Sequence, residues 1–317
     1  MKKVIVFLFL IGIVNTVFAQ FVTKNGALHL KGTQLVNQNN EPIVLRGMSL
    51  GWHCFHPRFY NESVVKWLKE DWKCTVVRAA LGVEPGDSAY IKHPQQGLQK
   101  IERVVEAAIK NDIYVIIDWH SHSINSKEAI AFFDHCSRKY GKYSNVIFEL
   151  FNEPDEESWD DVKQYAEEII SVIRKNAPNN IILVGSPHWD QDIHIAADSP
   201  LKSNYNIMYT MHFYAGTHGK WLRDRVDYAL SKGIPIFVSE SAGMEATGDG
   251  PINTIEWQTF IDWMEQRKIS WITWSVSDKN ETCSVLNTSA NSNGHWKSKD
   301  LKESGQAIRN YLRKFNK

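Results

Sequence analysis

Short runs of β-branched and other apolar residues recur along the chain at intervals of about 30–40 residues. Each run is nearly continuous in apolar character rather than alternating, which is typical of strands buried on both faces. We therefore predict eight strands, at Ile43–Leu45, Thr75–Arg78, Ile113–Asp118, Asn145–Phe151, Ile181–Val184, Ile207–Phe213, Pro235–Glu240 and Trp271–Val276.

Amphipathic stretches follow most of these runs, with apolar residues at helical spacing. They predict helices at Asn61–Lys73, Leu98–Lys110, Lys127–Tyr140, Trp159–Lys175, Gly219–Ser231, Thr254–Arg267 and Leu301–Phe315, and a short helix at Asp192–Ala197. Strand followed by helix, eight times, predicts an α/β fold, a single (β/α)8 TIM barrel. A doubly wound open sheet is the structural alternative, although it would usually have fewer strands and a Gly-rich loop after the first.

The N-terminal part of the chain contains two further patterns. Residues 25–42 alternate in polarity and turn at Gly32, which predicts a short β-hairpin that caps the N-terminal end of the barrel. Residues 1–19 combine Lys2 and Lys3 with an apolar run and end in Ala19, which predicts a secretory signal peptide cut after Ala19. A membrane anchor is the alternative, but the run is shorter than the roughly 20 residues that a spanning helix needs. Residues 20–317 are then one barrel domain of a secreted or periplasmic protein.

Composition excludes some classes of partner. The 317 residues include 36 basic and 36 acidic side chains, so no net charge steers the chain toward nucleic acid. The cysteines, at positions 54, 74, 136 and 283, form no Cys-x-x-Cys pair, so a zinc cage is not expected. Disulfides and free thiols both remain open. We expect no resident cofactor or metal, and no membrane partner once the signal peptide is removed.

The ends of the predicted strands carry chemically active residues. Catalytic side chains of barrel enzymes lie at the C-terminal ends of the strands. In chain order the candidates at or just beyond these ends are Arg78, His120, His122, Asn152, Glu153, His188, Trp189, His212, Tyr214, Glu240 and Trp274.

Glu153 and Glu240 stand out because each directly follows an apolar run. A carboxyl group at the rim of a barrel is partly desolvated, which raises its pKa unless a cation or a hydrogen-bond donor compensates. Two such groups that face each other can divide into a protonated acid and an ionised base or nucleophile. Cleavage of a glycosidic bond needs that pair, and Trp faces provide platforms for sugar rings.

The ordered set of motifs resembles glycoside hydrolase family 5, and more narrowly its bacterial endo-β-1,4-glucanases. The resemblance extends from about Arg46 to Leu286 and rests on the segments Val115–His120, Val146–Pro154, His212–Tyr214, Phe237–Glu240 and Trp271–Trp274. It implies a retaining hydrolase of β-1,4-linked polysaccharide or oligosaccharide. Among the family's substrates, other β-glucans and mannan remain alternatives.

The resemblance also implies a role for each matching residue. Glu153 matches the acid/base catalyst and Glu240 the nucleophile, and Asn152 matches the residue that binds the sugar 2-hydroxyl. Arg78 and Tyr214 match contacts of the nucleophile, and His120 and His212 match active-site histidines. For substrate binding, the matching residues are Trp274 under the reacting sugar, Lys279 and Glu281 on the glycone side and Trp189 on the leaving-group side, with Trp52 and His122 nearby.

Several features depart from the family pattern. Ser241-Ala242-Gly243 follows the nucleophile where many relatives have an aromatic residue and Gly, and Phe55 stands where many have a stacking Trp. These changes affect fine subsite preference only. No attached carbohydrate-binding module is expected, which favours soluble or amorphous glucan.

Two other functional classes are considered. A metal-dependent amidohydrolase would use His120-Ser121-His122, His188, His212 and Asp278 as ligands, but that superfamily places its His-x-His after the first strand and not the third. A sugar-binding protein on a catalytically dead barrel is the non-enzyme alternative, although both carboxyl groups are present.

The chain has 12 Trp residues, and most are expected to pack rather than bind. Those on predicted helices are assigned to packing: Trp67, Trp72, Trp159, Trp221, Trp257 and Trp263. Trp119 is also expected in the core.

Overall fold

The computed structural model describes residues 20–203 and 205–316, in which eight parallel strands close into a barrel. The strands are β1 (His29–Lys31), β2 (Gln34–Val36), β3 (Arg46–Leu50), β4 (Val76–Gly82), β5 (Tyr114–His120), β6 (Val146–Glu149), β7 (Ile182–Val184), β8 (Ile207–Tyr214), β9 (Ile236–Ala242) and β10 (Ser270–Val276). From β3 to β10 each strand pairs with the next along the chain, and β10 closes the barrel on β3. The prediction of a (β/α)8 barrel is confirmed, and the open sheet is excluded.

Helices connect the strands and pack around the barrel. They are α1 (Phe21–Asn25), α2 (Glu62–Glu70), α3 (Pro94–Lys110), α4 (Ser126–Tyr140), α5 (Trp159–Arg174), α6 (Pro187–Asp190), α7 (Ile193–Asp198), α8 (Lys220–Ser231), α9 (Thr254–Arg267) and α10 (Glu303–Phe315). Local chemistry sets several starts: Asn61 caps α2 by accepting from the Val64 N–H, and Ser158 and Asp161 form a capping box on α5. The predicted helices are confirmed, whereas α1 and the short α6 were not predicted.

The first barrel strand was predicted at Ile43–Leu45 but lies at Arg46–Leu50, so that prediction is wrong. A side chain at Gly47 would place its Cβ 1.8 Å from the Val76 carbonyl oxygen, because β3 and β4 approach closely there. Because Gly47 and Ser49 alternate with Arg46, Met48 and Leu50, β3 has no continuous apolar run for a search to detect. The apolar Ile43 and Leu45 instead pack beneath the barrel.

The predicted hairpin is present as the antiparallel pair β1 and β2. Leu28 and Leu35 pack with Ile43 and Leu45 against side chains from seven barrel strands: Val76, Tyr114, Ile116, Ile147, Leu183, Met208, Phe237 and Ile272. This apolar plug fills the N-terminal end of the barrel interior. The opposite end is left for polar side chains.

Trp221 is an exception among the tryptophans assigned to packing, because 43% of its surface is exposed. It lies on the first turn of α8 with Arg225 over its ring, 4.9 Å from the centroid. The amphipathic pattern of α8 did not separate its outer face from its packed face. Trp72, Trp119, Trp257 and Trp296 are buried.

The predicted signal peptide, residues 1–19, lies outside the described residues. Among the residues that the structure describes, no helix is long and apolar enough to cross a membrane. The four cysteines, all of them described, are free thiols, which resolves the open choice between disulfides and thiols.

Candidate active site

Arg78 is the centre of the polar cluster at the C-terminal end of the barrel. Its guanidinium is fully buried and donates to Glu149 Oε2 at 2.7 Å, to Asn152 Oδ1 at 2.7 Å and to Glu240 Oε2 at 3.1 Å. Asp118 Oδ2 lies 3.0 Å from its Nη2. Burial alone would lower the pKa of Arg78, but the three carboxylates outweigh it and raise that pKa. Arg78 is therefore a permanent cation beneath the site.

Glu240 lies within β9 and is held from two sides. Tyr214 donates its hydroxyl to Oε1 at 2.6 Å, and Arg78 holds Oε2. Burial raises the pKa of Glu240 and the nearby Glu153 raises it further, whereas Arg78 and Tyr214 oppose both effects. A cation and a hydroxyl donor favour the ionised carboxylate. Of the two glutamates, Glu240 is the one whose neighbours stabilise a negative charge.

Glu153 follows β6 and has different neighbours. Its Oε1 lies 2.9 Å from Nδ1 of His212, and its Oε2 lies 3.8 Å from Nδ1 of His122. Burial raises the pKa of Glu153, with His122 and Arg78 opposing it. Burial also lowers the pKa of His212 to about 4, so that its imidazole is neutral at neutral pH. A carboxyl group beside a neutral ring keeps its proton more readily than one beside Arg78.

The two carboxyl groups face each other across the mouth of the barrel. One oxygen of Glu153, one oxygen of Glu240 and one ring nitrogen of His212 all lie within 4.8 Å of one another. The ladder between β8 and β9 shifts register beside His212, a local irregularity of a kind common next to active sites. Donor types and spacing would also allow a metal ion at these three groups, but both carboxylates already have partners that suit acid–base chemistry.

An aromatic wall lies on the β5 and β10 side of the site. His120 stacks on Trp274 with ring centroids 4.9 Å apart and an angle of 7°, and its Nδ1 lies 2.7 Å from Asp118 Oδ2. Trp52 meets His120 edge-on at 4.2 Å and stacks on His122 at 5.7 Å. Burial and Arg78 lower the pKa of His120 well below its usual range. These rings form an aromatic surface beside the two carboxyl groups.

The remaining predicted residues lie further from the carboxyl pair. Lys279 and Glu281 form an ion pair in the loop after β10. Trp189 lies in the loop after β7 and is 42% exposed. The segments that carry them follow strands three positions apart around the barrel, β10 and β7.

The histidines do not form the ligand set that an amidohydrolase would need. His120 faces Asp118, the ring of His122 lies on Trp52, and Nδ1 of His188 pairs with Asp192 at 2.6 Å on the surface. In the described ranges the potential ligand group that forms is Glu153, His212 and Glu240. The His-x-His after the third barrel strand therefore has other partners.

The sequence did not identify four buried polar residues around this pair: Asp118, Glu149, Asp190 and Ser239. Glu149 interrupts the apolar run of β6, and this charged residue inside a strand could have been noticed. Asp190 directly follows the candidates His188 and Trp189, and nothing in its local sequence separates it from an exposed loop residue.

A closed parallel barrel with two facing carboxyl groups at its C-terminal end, one buried and one half-buried, has the architecture and the site of a barrel glycosidase. Residues 36–280 match the family model described as cellulase (glycosyl hydrolase family 5). The chain belongs to this family.

Similar proteins agree with that assignment. Endoglucanase A of Evansella cellulosilytica is 47% identical over 281 residues, which cover 86% of this chain and 57% of that protein, so the chain spans little more than half its length. A structure from Cytophaga hutchinsonii has a TM-score of 0.91 at 43% identity and covers 93% of this chain and 97% of that one. The catalytic domain of Thermobifida fusca endoglucanase Cel5A in complex with cellotetraose has a TM-score of 0.87 at 30% identity, covering 92% and 99%.

Proposed function

We propose that this chain is a secreted endo-β-1,4-glucanase that cleaves internal bonds of β-1,4-glucan with retention of anomeric configuration. The observation that carries the proposal is the pair Glu153 and Glu240, with oxygens within 4.8 Å and with opposite electrostatic neighbours. Retaining glycosidases hold their carboxyl groups about 5–5.5 Å apart, whereas inverting enzymes need about 6.5–9.5 Å to admit a water. The short separation supports the covalent route.

In the first step, Glu240 attacks the anomeric carbon as its carboxylate. Glu153 gives its proton to the glycosidic oxygen as that bond breaks, so the leaving chain departs as an alcohol. The product is an ester between Glu240 and the glycone. Arg78 and Tyr214 support this assignment because they favour an ionised Glu240 before the attack.

In the second step, Glu153 is a carboxylate and removes a proton from water. The water oxygen attacks the anomeric carbon, the ester bond to Glu240 breaks, and Glu153 is protonated again. Asn152 accepts from Arg78 through Oδ1, which leaves its amide NH2 oriented to donate toward the sugar 2-hydroxyl. Trp274 provides the platform under the reacting sugar, with Lys279, Glu281 and Trp189 binding further units.

The proposed roles are tested with carboxymethyl-cellulose and with a 2-fluoro cellobioside that traps the ester. We expect the wild type to hydrolyse the polymer and mass spectrometry to find the label on Glu240. Glu240→Ala should lose essentially all activity, whereas Glu245→Ala, an exposed glutamate after the same strand, should keep it. Activity retained by Glu240→Ala, or a label elsewhere, would contradict the mechanism.

The backbone sugar and the export of the chain are tested separately. We expect internal cleavage of cellohexaose and much slower cleavage of mannohexaose and lichenan, since the resemblance of Lys279 and Glu281 favours β-1,4-glucan. A preference for mannohexaose would assign another substrate. For export, the N-terminal sequence of the secreted protein should begin at Gln20, and an intracellular protein that keeps Met1 would argue against the signal peptide.

A further inference from the structure

Asp190 is a fully buried carboxyl group that the hydrolysis described above does not use. Its Oδ2 accepts from the Thr210 hydroxyl at 2.5 Å and lies 3.3 Å from Nε2 of His212. Its Oδ1 accepts from the Ser186 N–H at 2.6 Å. Because Nδ1 of His212 lies 2.9 Å from Glu153, the contacts run from Asp190 through His212 to Glu153.

The backbone at Asp190 is strained. His188, Trp189 and Asp190 have φ of 52°, 56° and 60°, three consecutive residues in the left-handed region that side chains disfavour. Such conformations persist where other contacts hold them, and they cluster at functional sites. Here the hydrogen bonds of Asp190 are contacts that hold the segment against β8.

The protons on this chain of contacts can be assigned from the donors. A neutral His212 carries one N–H. Burial raises the pKa of Asp190, and the hydrogen bonds from Thr210 and Ser186 oppose that shift. An ionised Asp190 accepts from the Thr210 hydroxyl and the Ser186 N–H, and its charge, 3.3 Å from Nε2 of His212, favours a ring proton at Nε2, which Ser239 Oγ accepts at 2.9 Å. Nδ1 of His212 is then an acceptor, and the group that faces it must be a protonated Glu153.

We propose that Asp190 is a positioning residue that fixes His212 as the Nε2–H tautomer and so keeps Glu153 protonated until it meets the glycosidic oxygen. The inference rests on the proposed role of Glu153 as the acid. Other charged or titratable groups also act on the His212 ring from neighbouring strands and loops: Glu149, whose Oε1 lies 4.0 Å from Nε2, and Arg78, Glu240 and His122.

The variant Asp190→Asn tests this proposal because it keeps the size of the side chain and removes its negative charge. The Ser186 N–H needs an acceptor, so the Asn oxygen takes the position of Oδ1, and the neutral amide NH2 takes the position of Oδ2 between the Thr210 hydroxyl and His212. The negative charge beside Nε2 is then gone, the Ser239 hydroxyl can donate to Nε2, and the single ring proton moves to Nδ1, where it stabilises an ionised Glu153. The alkaline limb of kcat/KM on cellotetraose should therefore move to lower pH by about one unit.

The matched control is Asp192→Asn. It changes a second His–Asp contact two residues along the chain, 2.6 Å from His188, together with an ion pair to Arg225, and neither contact leads to Glu153. Its alkaline limb should stay at the wild-type pH. An unmoved limb in Asp190→Asn, or an equal shift in both variants, would overturn the proposal.

A measurement on the wild type covers the case in which Asp190→Asn does not fold. Ring ¹⁵N chemical shifts of His212 at neutral pH should show the Nε2–H tautomer, and the Nδ1–H tautomer would refute the proposal. This result does not depend on hydrolysis. A wild type that cleaves no glucan would therefore refute the proposed function alone, while the ring tautomer still decides the role of Asp190.

Discussion

Replacing Arg78 with Met should damage stability and catalysis together. Met fills a similar space but removes the donors to Glu149, Asn152 and Glu240. Removing one partner from a buried ion pair typically costs about 3–5 kcal/mol because the other charge is left uncompensated. Several buried acceptors lose their donor here, so we expect a loss of unfolding free energy of about 3–5 kcal/mol at pH 7.

The loss of unfolding free energy in Arg78→Met should be larger at neutral pH than at acidic pH. Burial already raises the pKa values of Asp118 and Glu240, and without Arg78 these values rise further above those of the unfolded chain. Between the unfolded and the folded pKa values, the folded variant therefore binds more protons than the unfolded chain. Stability then falls as pH rises from about 4 toward 7. The destabilisation relative to wild type should accordingly be smaller at pH 4.5 than at pH 7. The acidic limb of kcat/KM should also move to higher pH, by about 1–3 units, because Glu240 loses its cation.

Denaturant unfolding at both pH values and a pH–rate profile on cellotetraose check these expectations. Arg46→Met is the control, because Arg46 pairs with Glu265 through two hydrogen bonds at the N-terminal end of β3. Arg46→Met should lower the unfolding free energy by about 1 kcal/mol and leave the acidic limb of kcat/KM at the wild-type pH. A destabilisation by Arg78→Met that is equal at both pH values, or an acidic limb that moves to lower pH, would refute the electrostatic account.

Three further changes test other parts of the molecule. Glu153→Gln should abolish the alkaline limb of the pH–rate profile, and an unchanged limb would reassign the acid. Leu35→Ala, in the hairpin, should lower the unfolding free energy by about 2–5 kcal/mol and leave kcat unchanged. Denaturant titration and cellotetraose hydrolysis measure the two quantities, and a drop in kcat would contradict the separation of the plug from the site. Trp257→Ala should lower the unfolding free energy by about 3–5 kcal/mol, whereas the exposed Trp221→Ala should lower it by no more than about 1 kcal/mol. Equal losses in denaturant titration would argue against the exposure of Trp221.

The sequence was sufficient for the fold because hydrophobic periodicity is strong in most of this barrel. Seven of the eight barrel strands overlap the predicted runs. The exception, β3, has Gly47 and Ser49 between its larger residues, and at Gly47 the close approach of β4 leaves no room for a side chain. A search for apolar runs finds continuous large apolar side chains, so it selected Ile43–Leu45, whose residues pack in the plug.

The site was only partly predictable, for a different reason. Residues at strand ends, such as Glu153 and Glu240, can be identified because the barrel topology brings those ends together. Asp190 and Ser239 depend on side-chain directions around His212, which a single sequence does not specify. Trp221 needed the packing of α8 before its exposure was visible.

The apolar plug also has a consequence for how this enzyme can change. Since the hairpin seals the barrel at the end opposite the carboxyl pair, substitutions there can adjust thermal tolerance without altering the groups that contact substrate. Substitutions in the plug that raise the unfolding free energy can therefore offset destabilising substitutions at the rim of the barrel. Variation in substrate range and adaptation to temperature could then proceed through separate sets of residues in one chain.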